Sequence, residues 1–410
     1  MKADVFVRNI AQLVTPEGAG PKHGAEMRRL RVIENAAIAI ADGRFLWVGP
    51  EADWLGEAAI TVDGGQRAVV PGLVDPHTHA VWAGNRLRDF EARIAGVSYE
   101  NILASGGGIW STIRTTAAAS REDLLAQARP RINALVRSGA TVIEVKSGYG
   151  FTREAEFAML EAIRDLAAST PARIVATLLI HVPPPPAERA AYVSDVCQSW
   201  IPEISARKLA QAVDVFVEKE AWSAAEAERI LAAAQEHGLG IKLHTEQFHR
   251  VAGFELGLKM RAQSVDHLEA CSLEQVAAMN GSSTVATLLP AVSLHLGLPP
   301  APGRRLIDAG AAVAVGTDLN PGSSPLFSAA AALALAVRLN GLTVQEALVA
   351  GTVNAAAALG LSDAGRAEAG LPADFLMLHG SDWRELVYML GSNPVRETWI
   401  CGQRVAGVSV

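Results

Sequence analysis

The chain has 410 residues, half of them hydrophobic and 19% charged, so it can bury a large core and does not read as disordered. Its formal charge is −7, with 36 Lys and Arg against 43 Asp and Glu and no basic run, which excludes a nucleic-acid partner held by clustered cations. Three scattered cysteines, Cys197, Cys271 and Cys401, exclude a disulfide framework and a C-x-x-C zinc site and read as free thiols.

In chain order, the start MKADVFVRNI is broken by charge and shows no apolar signal stretch, so a cytoplasmic protein is expected. Short β-like runs follow at Asp4–Arg8, Ala36–Ile40 and Arg44–Val48, punctuated by turn residues such as Asp42-Gly43. The texture then changes to apolar runs alternating with helical patterns. The strand candidates are Leu73–His79, Thr141–Lys146, Ile174–His181, Val213–Val217, Ile241–His244, Ser264–His267, Thr284–Leu289 and Ala312–Asp318. Ala224–His237 reads as a helix, with Ser223 as N-cap, Glu226 three residues on and Gly238 just past its end. Glu154–Ala167 and Val344–Leu359 read as helices too. Ser328–Val337 is the most apolar later run; it is too short to span a bilayer and reads as a buried Ala-rich helix, so no membrane partner is expected. β-like texture returns at Ala373–Leu378 and Glu397–Val405.

Eight parallel-type strands with helices between them point to an α/β fold, a (β/α)8 TIM-like barrel. The alternative, an open doubly wound sheet, would lack its glycine fingerprint here. The terminal β segments are expected to form one small β-sandwich that the barrel interrupts. The expected division is sandwich at residues 1–65, metal-dependent barrel at 66–366 and the rest of the sandwich at 367–410.

The chemistry concentrates at strand ends. In Pro71-Gly72-Leu73-Val74-Asp75-Pro76-His77-Thr78-His79, the two histidines are two apart on an expected strand and leave on one face, where they can share a metal ion. An H-x-H alone is a weak signal. His244, His267 and Asp318 strengthen it, because each ends a later strand candidate and barrel strand ends converge on the face that carries active sites. Three neutral imidazoles and a carboxylate suit Zn²⁺ or iron and leave room for water. His77, His79, His244 and Asp318 are the favoured ligands. Asp318 and His267 are both candidates for moving the water proton. Lys146 ends the second strand, not the fourth, and is set aside as a carbamylated metal bridge.

These motifs resemble the amidohydrolase superfamily, and the finer pieces resemble the imidazolonepropionase family. Those pieces are Ala83-Gly84-Asn85-Arg86, Gly96-Val97-Ser98-Tyr99, Gly106-Gly107-Gly108-Ile109, Lys146-Ser147-Gly148-Tyr149-Gly150, Lys242-Leu243-His244-Thr245-Glu246-Gln247, Ser264-Val265-Asp266-His267-Leu268 and Asp318-Leu319-Asn320-Pro321-Gly322-Ser323-Ser324. The resemblance implies hydrolysis of the cyclic amide of 4-imidazolone-5-propanoate to N-formimino-L-glutamate in histidine breakdown. It also implies one zinc or iron ion, a small-molecule substrate and a homodimer. By resemblance, His77, His79, His244 and Asp318 hold the metal, and Arg86, Tyr149, His181, Gln247, Asn320, Gly322 and Ser323 contact substrate. His267 would then stand beside the reacting carbonyl. Arg86 suits the propionate as a bidentate partner. Gln247 cannot act as a base, so a mechanism needing a carboxylate there would use Glu246. A deaminase or another cyclic-amide hydrolase on the same scaffold is the rival reading, with a non-catalytic metal-binding relative behind it.

Overall fold

The computed structural model describes residues 1–98, 101–102 and 105–407. Tyr99, part of one family-like motif, lies outside the described residues. The N-terminal strands are β1 (Lys2–Pro16), β2 (Leu30–Ala41), β3 (Arg44–Pro50) and β4 (Glu57–Pro71). The barrel strands are β5 (Leu73–Asp75), β6 (Ala140–Lys146), β7 (Arg173–Ile180), β8 (Ala212–Val217), β9 (Gly240–Thr245), β10 (Ser264–His267), β11 (Val285–Leu288) and β12 (Val313–Val315). β13 (Phe375–Leu378), β14 (Val395–Ile400) and β15 (Gln403–Gly407) complete the chain.

All eight expected barrel strands form. They line up in sequence order, β5 to β12, and every neighbouring pair is parallel. Their residues are Val-, Ile- and Leu-rich and buried, as strands covered on both faces must be. The barrel closes through residues just past its first and last strands. Asp318 N–H donates to the His77 carbonyl at 2.9 Å, and His79 N–H donates to the Leu319 carbonyl at 2.9 Å. Asp75 braces the same seam, accepting from Thr317 N–H at 3.0 Å and from Thr317 Oγ1 at 2.6 Å.

The two chain ends build one seven-stranded mixed sheet, in the order β15-β14-β13-β4-β1-β2-β3. It bends back on itself: Arg44 bridges to Pro372, and the Phe45 and Phe375 rings lie 6.2 Å apart across the enclosed core. β4 was not anticipated, because Gly64-Gly65 interrupts its apolar pattern. Glu397–Val405 is not one strand. Cys401 and Gly402, both with left-handed φ (46° and 72°), turn it into the β14–β15 hairpin.

The helices follow their capping signals. Ala224–Glu236 starts on a Ser223/Glu226 capping box, and Gly238 beyond it has φ 72°. The expected helix Val344–Leu359 is broken at Gly351 and Thr352 into Val344–Ala350 and Val353–Ala357. The Ala-rich helix, Ala329–Leu339, forms as expected and buries six of its residues inside this chain. Among the described residues no helix is long and apolar enough to cross a membrane.

Candidate active site

The strand ends deliver the expected residues to one place. His244 lies in β9 and His267 ends β10; His77 and His79 follow β5, and Asp318 follows β12. Asp318 Oδ1 lies 3.4 Å from His77 Nε2 and 3.3 Å from His79 Nε2, and His79 Nε2 is 3.5 Å from His244 Nε2. His77, His79 and Asp318 form one group with donor atoms within 4.8 Å of one another; His77, His244 and His267 form an overlapping one. All five side chains are buried. His77 Nε2 and Asp318 Oδ1 have no hydrogen-bond partner among the described residues, although both are buried. Buried polar atoms left bare and aimed at one another are what a cation would satisfy, so the donor set fits a divalent metal.

Backbone conformation helps to aim these groups. Glu246, His267, Leu268 and Asp318 have left-handed φ of 52°, 84°, 71° and 50°. Non-glycine residues hold this conformation only when the surroundings enforce it, and such strain gathers at functional sites. All four lie at the carboxyl ends of barrel strands.

Behind the histidines sits a group of buried charges that sequence reasoning missed. Asp266 Oδ2 is 2.6 Å from His77 Nδ1, and Asp214 Oδ2 is 3.0 Å from His244 Nδ1. Lys146 Nζ lies 2.7 Å from Asp214 and 2.8 Å from Glu144; Lys242 Nζ lies 3.0 Å from Glu144 and 2.8 Å from the Pro76 carbonyl. Lys146 is thus committed to an ion-pair network and is not a metal bridge. Carboxylates on Nδ1 fix ring orientation and leave Nε2 for the metal. The available signal was alternation: Glu144 and Lys146 are two apart, as are Lys242 and His244, so each pair shares a strand face.

The electrostatics favour ligation. Burial pulls the pKa of His79 and His244 down, so both are neutral imidazoles near pH 7, the form that binds metal. Burial also pushes His181 down, to about 3. Burial raises the Asp318 carboxyl, but His77 and His79 beside it outweigh that and hold it well below the usual range. For His77, burial and Lys146 oppose the charged ring, yet Asp266 and Asp318 prevail and raise it to about 9. A metal on His77 Nε2 would displace that proton, with Asp266 still holding Nδ1.

Around this centre, Tyr149 and His181 face His79, with ring centroids 5.7 and 5.9 Å from it. Gln247 is buried just past β9. Asn320, Gly322 and Ser323 form a tight turn past Asp318: Asn320 Oδ1 accepts from Gly322 N–H and Ser323 N–H, both at 2.8 Å. Those two N–H groups are thereby already engaged. The Arg86 guanidinium lies against that turn, 3.7 Å from where a Gly322 Cβ would stand.

Glu246 is engaged away from the histidine cluster. Its carboxylate accepts from Thr245 Oγ1, from Val251 N–H at 3.2 Å and from Gln275 Nε2 at 3.1 Å. The left-handed φ at Glu246 breaks strand alternation, so the side chain is tied into the wall behind β9 rather than to the histidine cluster.

The comparisons place this geometry in a family. The amidohydrolase family model matches residues 103–406. An imidazolonepropionase of Deinococcus deserti is 59% identical over 402 residues, covering 98% of this chain and 100% of that protein. The chain belongs to the imidazolonepropionase family. Another imidazolonepropionase, from Deinococcus radiodurans, is 57% identical, with 98% of this chain and 100% of that protein covered. Amidohydrolase folds with distant sequences agree on the architecture. An adenosine deaminase from Xanthomonas campestris with bound zinc matches with TM-score 0.71 at 18% identity, over 99% of this chain and 93% of that one. A guanine deaminase from E. coli matches with TM-score 0.71 at 18% identity, over 98% and 99%. As a member of the imidazolonepropionase family, the chain is a metal-dependent hydrolase acting on C–N bonds.

Proposed function

We propose that this chain hydrolyses the ring amide of 4-imidazolone-5-propanoate to N-formimino-L-glutamate, a step of histidine degradation. The observation that carries the reading is the convergence of His77, His79, His244 and Asp318, from three separate parts of the chain, on one buried point at the barrel mouth. In this reading those four residues hold one divalent ion, zinc rather than iron. Imidazole and carboxylate donors suit both metals, and what favours zinc is that a fold relative carries it. When bound, such an ion supplies a Lewis acid and brings a water pKa towards roughly 7.

The protein groups do the rest. Asp318, held ionised, takes the water proton and delivers it to the departing ring nitrogen. His267, beside His77 and His244, hydrogen-bonds the reacting carbonyl oxygen. Arg86 holds the propionate. Tyr149 and His181 flank the ring, Gln247 hydrogen-bonds its edge, and the Asn320-Gly322-Ser323 turn shapes the carboxylate end of the pocket. Glu246 keeps the loop after β9 in place. A homodimer acting in the cytoplasm is part of the same proposal, as is the division into a β-unit at residues 1–65 and 367–410 and a barrel at 66–366, with β4 carrying the β-unit's sheet on to Pro71.

The test is direct. Purified protein should consume the imidazolone chromophore and release formiminoglutamate, with one metal per chain by elemental analysis. Deamination of a purine or pyrimidine, with no turnover of the imidazolone, would sink the reading. His79→Ala should lose both bound metal and activity while keeping its circular dichroism spectrum.

A further inference from the structure

Asp89 lies one helical turn beyond Arg86, in the helix Leu87–Ile94, and its carboxylate does two things at once. Its Oδ2 accepts from Arg86 Nε. The same oxygen accepts from Gly108 N–H at 2.9 Å, at the start of the helix Ile109–Ala117. Thr112, in that second helix and buried, accepts from Arg86 Nη1 at 3.2 Å. The guanidinium is therefore pinned at two nitrogens by two elements, and Asp89 ties those elements together. Among the described residues nothing hydrogen-bonds Arg86 Nη2. Gly107 packs against this clamp: a Cβ there would stand 2.6 Å from Asp89 Oδ1, closer than real contacts allow, so glycine is required. The Arg86 and Asp89 side chains are 11% and 20% exposed, so the pair is largely shielded and more than a surface ion pair.

We propose that Asp89 is a positioning residue for the substrate's carboxylate: it fixes the Arg86 fork in the orientation that binds an anionic side chain, and it couples that orientation to the Gly106–Gly108 loop. The inference rests on the reading of Arg86 as the propionate partner. A guanidinium is a rigid, planar donor whose value lies in its aim. An unclamped Arg86 pays more rotamer entropy to bind the same anion. Asp89 never touches substrate in this scheme; it acts through Arg86.

The experiment is steady-state kinetics on the metal-loaded enzyme. Asp89→Ala should raise KM for imidazolonepropanoate about tenfold with kcat within about twofold, the size of a lost charged hydrogen bond expressed in binding alone. Asp89→Glu, which keeps the carboxylate, should recover most of the loss. With the uncharged propionamide analogue, wild type and Asp89→Ala should show the same KM. Combined with Arg86→Lys, the alanine variant should add little, because both changes disable one unit. An unchanged or lower KM for Asp89→Ala overturns the proposal. So does a fall in kcat alone, or an equal loss on the neutral analogue, since each would mark a general structural role. If wild-type enzyme fails to turn over the imidazolone at all, the functional reading has failed instead.

Discussion

Arg86 and Glu246 show how much one side chain's surroundings decide. Arg86→Ala should raise KM roughly 10- to 100-fold with kcat nearly unchanged, because a ground-state charged contact is lost without touching the reacting atoms. A kcat loss with KM unchanged would instead move the propionate elsewhere. Burial raises the Glu246 carboxyl from 4.5 to about 7. The native chain therefore holds more protons than the unfolded chain between those values, so this group makes stability fall as pH rises through that window. Glu246→Gln should flatten the slope and gain melting temperature on wild type from about pH 5 to about pH 8. Parallel pH profiles for the two proteins would show that Glu246 stays charged in the fold.

At the scale of elements, β6, β8, β9 and β10 point Glu144, Lys146, Asp214, Lys242 and Asp266 into the barrel, where aliphatic layers are usual. Each carboxylate meets at least one lysine, and two of the three also hold a histidine. Such a network is marginal as a source of stability but severe when broken. Lys146→Met should destabilise the protein by about 3–5 kcal/mol, since Asp214 is left without its closest cation. Chemical denaturation measures this directly. A loss near zero would mean that water reaches these groups.

At the scale of the whole molecule, the barrel seam and the site are one construction. Asp75 fastens Thr317, and Asp318 is the next residue. Asp75→Ala strips Thr317 N–H and Oγ1 of their acceptor and should destabilise the fold by about 2–3 kcal/mol. It should also weaken metal retention against a chelator, because the carboxylate at 318 loses its backbone anchor. Unaltered metal affinity in a destabilised variant would separate the seam from the site.

The eight barrel strands, the capping box at Ser223 and the histidine pair at 77 and 79 were legible from the sequence, because each depends on local patterning. So was the family, since its motifs are contiguous short runs. Other features were not legible. Gly64-Gly65 hid β4, and Gly351-Thr352 broke a helix whose apolar period runs on unbroken. The turned-away Glu246 depends on a left-handed backbone that its residue type gives no reason to expect. The paired charges inside the barrel were beyond sequence reading for another reason: most partners lie on different strands, 98 positions apart for Glu144 and Lys242 and 189 for His77 and Asp266. Which residue types could bind a metal was therefore written in the chain. Which carboxylates hold those histidines, and which carboxylate turns its back on them, was decided only when the strands closed into a barrel, since desolvation and pairing act between neighbours in space.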